Sequence, residues 1–560
     1  MGIGATRIEE RAAAAHHKLE QTPIRFECCK TVSNAGVLFL LPALYAQGLF
    51  KYKNHFKALS PGYYDIDFII LFLAFMYLLR IKNPEQLKNY GTGEFGKIMG
   101  SDRVPVDKTL RKKTYQIFEQ KKSEEWLIDN AKGWVEEEEN NFYYIDGHIQ
   151  PYHGDKAVLG KKHVAGAKLC LPGTCQFWVN NSQGMPYFVV TGEVNEKLHE
   201  MILKEIIPKL ENKIALNISL EILNTDPDLP LFTMVFDREA SFFSFFKELW
   251  EKHRVAVITY KKSVKDKWNE EDFATYEIEI EGNKVKMELA EKIIDFERIT
   301  IREIRKKTDT GHQTSLVTTN KKLDKLIIAH YMFARWSQEN FFKYMSENYD
   351  IDKLFLYAIE QIDSDFKVVN PLYSNLSNKI KKIREKITRI ESELYVLIEK
   401  NLKETLDNTN HDKQIKMCEE KDRLVEQEEN LMAERKTQHY KIAIKDMPED
   451  KRYNKLHTES KLFTNIIKII CYRAETAFGQ ALTVNYKRKE DEMRMLVKNI
   501  ITTSADIIPD YQNNTLTISL YSLSTPRDNQ PVRQICELLN DTETIYPSTD
   551  LRLIYKFATD

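Results

Sequence analysis

The chain is predicted to be a multidomain α/β protein, and three observations carry that expectation. Strand-patterned runs between residues 142 and 260 enclose segments of helical periodicity. The stretches on either side are helix-patterned, with a heptad-like repeat after residue 373. At 560 residues and 42% hydrophobic, the chain is long enough for several units, each with its own core. The expected units are 1–135, 136–372, 373–440 and 441–560.

Cysteine usage narrows the setting. Cys28, Cys29, Cys170, Cys175, Cys418, Cys471 and Cys536 are odd in number and form no CxxC pair. That pattern argues against a disulfide framework and a structural zinc site, and for a reducing cytoplasmic compartment.

The first unit reads as helical. Met1–Gln21 carries charges of both signs, so no secretory signal is visible. Val37–Phe50 and Ile66–Leu79 are apolar runs of about 14 residues, interrupted by Pro42 and Asp67, whereas a spanning helix needs roughly 20. They are expected as buried core helices, with membrane helices the minor alternative; no membrane partner is expected. Between Arg80 and Lys122, eleven Lys/Arg stand against five Asp/Glu in a chain of net charge −1. There Pro84–Leu87 and Glu94–Gly100 lead through Ser101–Pro105 to a helix over Val106–Glu119 carrying Lys108, Arg111, Lys112 and Lys113. Two short helices, the second basic, have the layout of a helix-turn-helix reader of DNA. A helical hairpin with a solvated lysine face has the same pattern, and both readings stay open. Acidic Glu136–Glu139 marks a linker.

Strands follow. Phe142-Tyr-Tyr-Ile-Asp146-Gly147 is an aromatic and β-branched strand expected to end at Asp146, with Gly147 letting the backbone turn or accept a close neighbour. Cys175–Val179 and Pro186–Thr191 flank Asn180–Gly184 and read as a hairpin. Asn195 can cap a helix from Glu196 to about Leu210. Leu231–Phe236 is continuously apolar, as a central strand is, and ends in Asp237-Arg-Glu239. A helix over Ser241–His253 and a strand over Val255–Tyr260 complete the run. Strand, strand, strand, helix, strand, helix, strand is the order of the ribonuclease-H-like fold, in which the first and fourth strands are neighbours. Asp146 and Asp237 then lie together at strand ends. Adjacent carboxylates resist ionising together unless a cation neutralises them, and a divalent metal is the natural solution.

A third ligand is expected on a later helix. Thr275–Glu281, Lys284–Leu289, Ile299–Ile304 and Gln313–Thr319 read as strands of a β insertion over about 262–312 and its exit. Lys321–Met345 then reads as one helix, on which Arg335, Glu339 and Lys343 fall at i, i+4 and i+8 on one face. An ordinary salt-bridged surface has the same spacing; the position directly after the strand set makes Glu339 the candidate.

These residues carry a family resemblance. Asp146, Asp237 and Glu339, in the wording Tyr144-Ile-Asp-Gly-His148, Val235-Phe-Asp-Arg-Glu239 and Arg335-Trp-Ser-Gln-Glu-Asn-Phe-Phe342, resemble the DDE transposases of bacterial insertion sequences, the cut-and-paste kind with an inserted β domain. Arg335-x-x-x-Glu339 matches that kind's helix motif. Its Tyr, three before the Arg, and its Lys, seven after the Glu, are Met332 and Ser346 here, with Tyr331 and Lys343 nearby. The resemblance spans about 140–345. It implies an enzyme that cleaves and transfers DNA strands at element ends by two-metal phosphoryl transfer. Asp146, Asp237 and Glu339 would hold two Mg²⁺ (Mn²⁺ possible) roughly 3.5–4 Å apart, water attacking first and the freed 3′-hydroxyl attacking target DNA later. Arg335 and Lys343 would hold phosphates, with Tyr331 beside them. Lys108, Arg111, Lys112 and Lys113 are the DNA-contact candidates of the first unit. The implied partners are double-stranded DNA, as element ends and target, and a second copy in a homodimer; the implied location is the cytoplasm, at the nucleoid. Two further readings stay open: a non-catalytic DNA-binding or scaffold protein derived from a transposase, and a ribonuclease-H-like nuclease that cuts without joining. Trp336, Phe341 and Phe342 could stack on a base but have core spacing. His148 and His153 read as loop histidines, and Glu239 is a rival carboxylate that ties its own turn.

Ile380, Ile383, Ile387, Ile390, Leu394 and Leu397 then form a heptad seam, broken at Asp407–Lys413 and resumed from Ile415 to about Leu431. An antiparallel coiled-coil hairpin is expected. Beyond it, helical Tyr453–Tyr472, strands Thr515–Tyr521 and Leu551–Phe557, and a helix at Pro531–Leu539 suggest a small α/β end domain.

Overall fold

The apolar run Ile66–Leu78 folds as a helix (α1), started by Asp65, whose Oδ1 accepts the Phe68 N–H at 2.9 Å. Every α1 residue except Asp67 is buried, which is why the run needs no polar face. Pro42 starts a helix, Leu41–Ala46, at its first turn, where a missing N–H costs nothing. Among the described residues no helix is long and apolar enough to cross a membrane.

The computed structural model describes residues 5–558 except 139–140, 155–156, 165–167, 195, 213, 215–219, 265, 281–282, 335, 354, 356–358, 361–364, 366, 404–407, 448–451, 453–454 and 484–489. The helix cap expected at Asn195 thus lies outside the described residues. Two units divide the chain: residues 1–152, 163–357 and 457–560 form one, and residues 153–162 and 358–456 the other.

In the first unit, helix α2 (Asp107–Phe118) precedes the strands β1 (Phe142–Pro151), β2 (Leu169–Asn180), β3 (Pro186–Glu193) and β4 (Phe232–Phe236). Helix α3 (Phe243–His253) leads to β5 (Val255–Tyr260), followed by β6 (Ala274–Ile280), β7 (Asn283–Phe296), β8 (Ile299–Lys307) and β9 (Gln313–Thr318). Hydrogen bonding orders them β3-β2-β1-β4-β5-β9-β8-β7-β6. β1, β4 and β5 run parallel, while β2 and β3 are antiparallel additions. The β2–β3 hairpin turns where Gly184 adopts φ +81°, a left-handed conformation that glycine tolerates. The strands expected as a separate insertion instead extend this sheet: β9 pairs antiparallel with β5, Thr318 opposite Ile258. An open edge on β5 is thereby covered, and the sheet grows outward.

β1 also differs from expectation. It does not stop at Asp146 but runs on to Pro151, because β2 keeps pairing with it as far as Pro151 opposite Gly173. Only the ladder to β4 ends, at Ile145 opposite Phe236. The helix expected over Lys321–Met345 is recorded as α4 (Lys325–Ala334) and α5 (Trp336–Tyr349).

The second unit contains helices α6 (Pro371–Lys403) and α7 (Asn408–Thr437). Arg384 pairs with Glu428 at 2.7 Å and Glu391 with Lys421 at 3.3 Å, so the helices run in opposite directions. Ile380, Ile383, Ile387 and Leu394 are buried along the seam. Strands Lys367–Val369 and Lys441–Ala443 pair at the hairpin's base.

The chain returns to the first unit with helix α8 (Thr458–Thr483). Its Phe463 packs edge-on against Phe56 and Phe118 and is tilted against Trp126. Strands β10 (Ala505–Asp510), β11 (Thr515–Leu520) and β12 (Arg552–Phe557) form a further sheet, and Cys29–Val32 pairs with β10. Residues 1–135 and 457–560, expected in separate N- and C-terminal units, therefore fall in one unit, because apolar faces distant in sequence cover each other.

Candidate active site

The sheet brings two carboxylates together by register alone. β1 and β4 pair in parallel from Phe142 opposite Thr233 to Ile145 opposite Phe236, so the next residues, Asp146 and Asp237, leave the shared ladder side by side. Tyr144, Val235 and Ile258 share one sheet face with Leu326, Ile328, Ala329 and Met332 of α4. The strand period of two puts Asp146 and Asp237 on that same face. Asp146 Oδ1 accepts the Gly147 N–H at 2.9 Å; Asp237 Oδ1 accepts the Arg238 N–H at 2.8 Å, capping the turn Arg238–Ala240. Both aspartates are half-buried.

Helix α5 is tied along β1. Gln338 Nε2 donates to the Tyr144 carbonyl at 3.0 Å, and Phe342 stacks on His148 with ring centroids 4.9 Å apart. Asp146 is midway between Tyr144 and His148. Glu339 lies between the two anchors on the helix, exposed at the edge of the buried face. The floor is polar: Gln176, Trp178 and Asn180 lie opposite His148, Asp146 and Tyr144. Both amide atoms of Gln176, Trp178 Nε1, Asn180 Oδ1 and Gln338 Oε1 are buried without a hydrogen-bond partner. An apolar core does not tolerate such a cluster, whereas a site built for charge requires polar surroundings.

Three hard oxygen donors suit Mg²⁺ in type. Among the described residues, however, no three His, Cys, Asp or Glu side chains are gathered closely enough to hold a metal ion. The register supplies two neighbouring carboxylates and the helix anchors bring a third to the same strand, but their side chains do not form a closed ligand set in this conformation.

The other expected residues divide. Arg335 lies outside the described residues, as does the side chain of Trp336. Lys343 is exposed and lines a pocket of about 340 Å³ with Ser337, Asn340, Tyr344 and Arg494. Tyr331 stacks on Phe142 at 4.0 Å, and its carbonyl accepts the Tyr144 hydroxyl, so it props β1. Phe341 is buried against Trp178, confirming core packing for that ring. On α2, Lys108 and Lys112 are exposed, but Arg111 pairs with Glu85 and donates to the Phe355 carbonyl at 2.6 Å. Lys113 is buried on the Ser60 carbonyl at 2.8 Å, and burial lowers its pKa. Two of the four α2 cations are therefore engaged by the fold and not presented to a ligand. At Gly147 the backbone does not turn, and a Cβ there would meet the Phe177 ring at 3.4 Å, with the Cys175 Sγ next nearest. Phe177 is directly opposite Gly147 on the face away from Asp146.

Sequence reading missed two supporting contacts. Gln338, a buried amide on the apolar side of α5, had a signal in its spacing. His148, expected in a loop, is in β1 and bonds Asp352 through Nε2. Burial pushes the Asp352 carboxyl up, but the hydrogen bond and charge of His148, with Ser346 and Lys461, together outweigh it and hold the group below its ordinary range. Nothing local in the sequence joins these two residues.

Comparison with known proteins supplies the family. No curated protein matches the chain. Among solved structures, the chain is similar to a piggyBac transposase synaptic complex with hairpin DNA, at 8% identity and a TM-score of 0.33, covering 86% of this chain and 84% of that one. A similarity of that size assigns neither fold nor function. The family model described as "Transposase protein" matches residues 2–559, nearly the whole length, and the chain belongs to that transposase family.

Proposed function

We propose that the protein is a DNA transposase of the DDE type, cutting and joining DNA strands at the ends of an insertion sequence, with a ribonuclease-H-like core formed by β3-β2-β1-β4-β5. The observation that carries the proposal is the register of β1 and β4, which ends both strands' shared ladder at an aspartate, Asp146 and Asp237. Adjacent strand-end carboxylates resist ionising together unless a cation joins them. Asp146, Asp237 and Glu339 would hold Mg²⁺ or Mn²⁺. When bound, the metal pair activates the attacking oxygen and stabilises the leaving one.

The chain's own residues do the rest. Gln338 and Phe342 tie α5 along β1, and Glu339, which lies between them on the helix, would complete the ligand set with the aspartates. Exposed Lys343, one helical turn beyond Glu339, is placed to contact a backbone phosphate of the bound strand. The His148–Asp352 pair pins the far end of the β1 face. DNA ends and target would be the substrates, and a homodimer would hold both ends.

Two rivals are kept: a non-catalytic DNA-binding descendant and a ribonuclease-H-like nuclease that cuts without joining. One assay separates them. With Mg²⁺ or Mn²⁺, the full-length protein is expected to nick DNA carrying the element ends and to join the 3′ ends to target DNA. Nicking without joined product would make it a nuclease only, and no metal-dependent cleavage would leave the non-catalytic reading.

A further inference from the structure

The hairpin of α6 and α7 is polarised in charge. Residues 379–389 contain six Lys/Arg and one acid, Glu385. Residues 417–434 of α7 contain seven Asp/Glu and two Lys/Arg. Across the whole chain the signs nearly balance, 82 against 83, so these two stretches depart from the background, more strongly in α6 than in α7, which over its full length carries eight Asp/Glu and six Lys/Arg.

Where the α6 cations stand matters more than their number. Lys379, Lys382, Lys386 and Arg389 recur in steps of three, four and three, each directly preceding a seam isoleucine: Ile380, Ile383, Ile387 and Ile390. The same spacing that makes the isoleucines a seam makes the cations a stripe along its flank. All four cations are exposed, and among the described residues none pairs with them. Arg384, outside the stripe, is the one that crosses the seam to Glu428. No carboxylate occurs from Pro371 to Arg384, and exposed Asn375 and Asn378 continue toward the helix start. Like charges at this spacing repel by a few tenths of a kcal/mol per pair. Glu385, three residues after Lys382 and four before Arg389, offsets part of that repulsion, and a partner that is anionic, extended and regularly charged would offset the rest.

We infer that the stripe is a docking surface for the phosphate backbone of double-stranded DNA, an inference that rests on the DNA-transposase reading. Ten residues of helix span about 15 Å. Along the duplex axis each strand presents one phosphate about every 3.4 Å. The stripe thus runs past about four phosphates with four cations. It makes no base contact and so adds affinity without sequence preference.

The experiment measures the affinity of the full-length chain for duplex DNA as salt is varied. Lys379, Lys382, Lys386 and Arg389 are all changed to Gln, which keeps helix propensity at exposed sites. The slope of log affinity against log salt is expected to fall by about three to four. A control variant, with exposed Lys413, Lys416, Arg423 and Lys436 changed to Gln, is expected to lose less than half as much. An unchanged slope in the stripe variant, or equal losses in both variants, overturns the inference. So does a stripe variant that keeps its DNA slope but loses self-association in sedimentation, since the acidic α7 of a second copy would then be the occupant. Failure of the wild-type chain to bind DNA at all would instead remove the reading on which the inference rests.

Discussion

Two regions of the molecule use charge in opposite ways. In the helical layer of α2 and α8, charges are absorbed by the fold. Lys113 is buried on Ser60, Arg473 lies over the Trp134 ring at 4.3 Å and pairs with Glu138 at 3.2 Å, and Arg80 pairs with Glu475 at 2.7 Å. Along β1, β4 and α5, and again on α6, charges face outward, as at Glu339, Lys343 and Lys379. The lesson is that the density of cations in a sequence does not reveal a binding surface. Their phase against the apolar repeat does. In α2, Lys113 shares the buried face of Leu110, Thr114 and Ile117, whereas in α6 the stripe is one residue out of phase with the seam.

Substitutions in the two regions should therefore separate activity from stability. The largest effect is expected at the strand ends. Asp146→Ala, Asp237→Ala or Glu339→Ala alone should lower DNA cleavage by on the order of a thousandfold, about 4 kcal/mol in the barrier, with the urea midpoint near wild type. Retained cleavage in any one would remove that residue from the site.

Next comes the buried layer. Arg473→Ala removes the guanidinium beside Glu138, which keeps its hydrogen bonds from Asn181 and Tyr187, and should cost about 3 kcal/mol in urea unfolding. A loss below about 1 kcal/mol would show that this layer is not where charge stabilises the fold.

A smaller contrast lies within α2. Lys113→Ala should destabilise by about 1 kcal/mol and leave the salt dependence of DNA binding unchanged. Lys112→Gln should leave stability unchanged and, if α2 touches DNA, lower the salt slope by about 0.9. A reversed pattern would break the comparison.

A further effect is pH-dependent. Burial pulls Lys468 down to about 8, while an unfolded lysine titrates near about 10.4. Between those values the unfolded chain binds more protons, so stability should rise with pH from about 8 to about 10. Burial also lowers Lys461, which adds to the rise. Lys468→Met should flatten the upper part of the curve, as followed by urea midpoints across pH; an unaltered slope would show that Lys468 is not the source.

Much of the core was legible because apolar pattern and turn chemistry are local. Val255–Tyr260 folds over the expected residues, and Leu231–Phe236 differs by one. The adjacency of Asp146 and Asp237 followed from strand order. What was not legible depends on pairing between distant segments. The strand Cys29–Val32 joins β10 across most of the chain length. β1 continues past Asp146 because β2 offers it partners, and no property of Asp146-Gly147 announces that. The separate insertion dissolves because β9 finds the edge of β5. His148 meets Asp352 through tertiary packing alone.

The central claim is that Asp146, Asp237 and Glu339 act as one metal site although their side chains are not closed around an ion. Mn²⁺ titration of the full-length protein, followed by electron paramagnetic resonance, tests it most directly. The account predicts bound Mn²⁺ in the wild type, and in each single alanine variant an affinity lower by at least about tenfold. Binding that is absent from the wild type, or unchanged in all three variants, would contradict it.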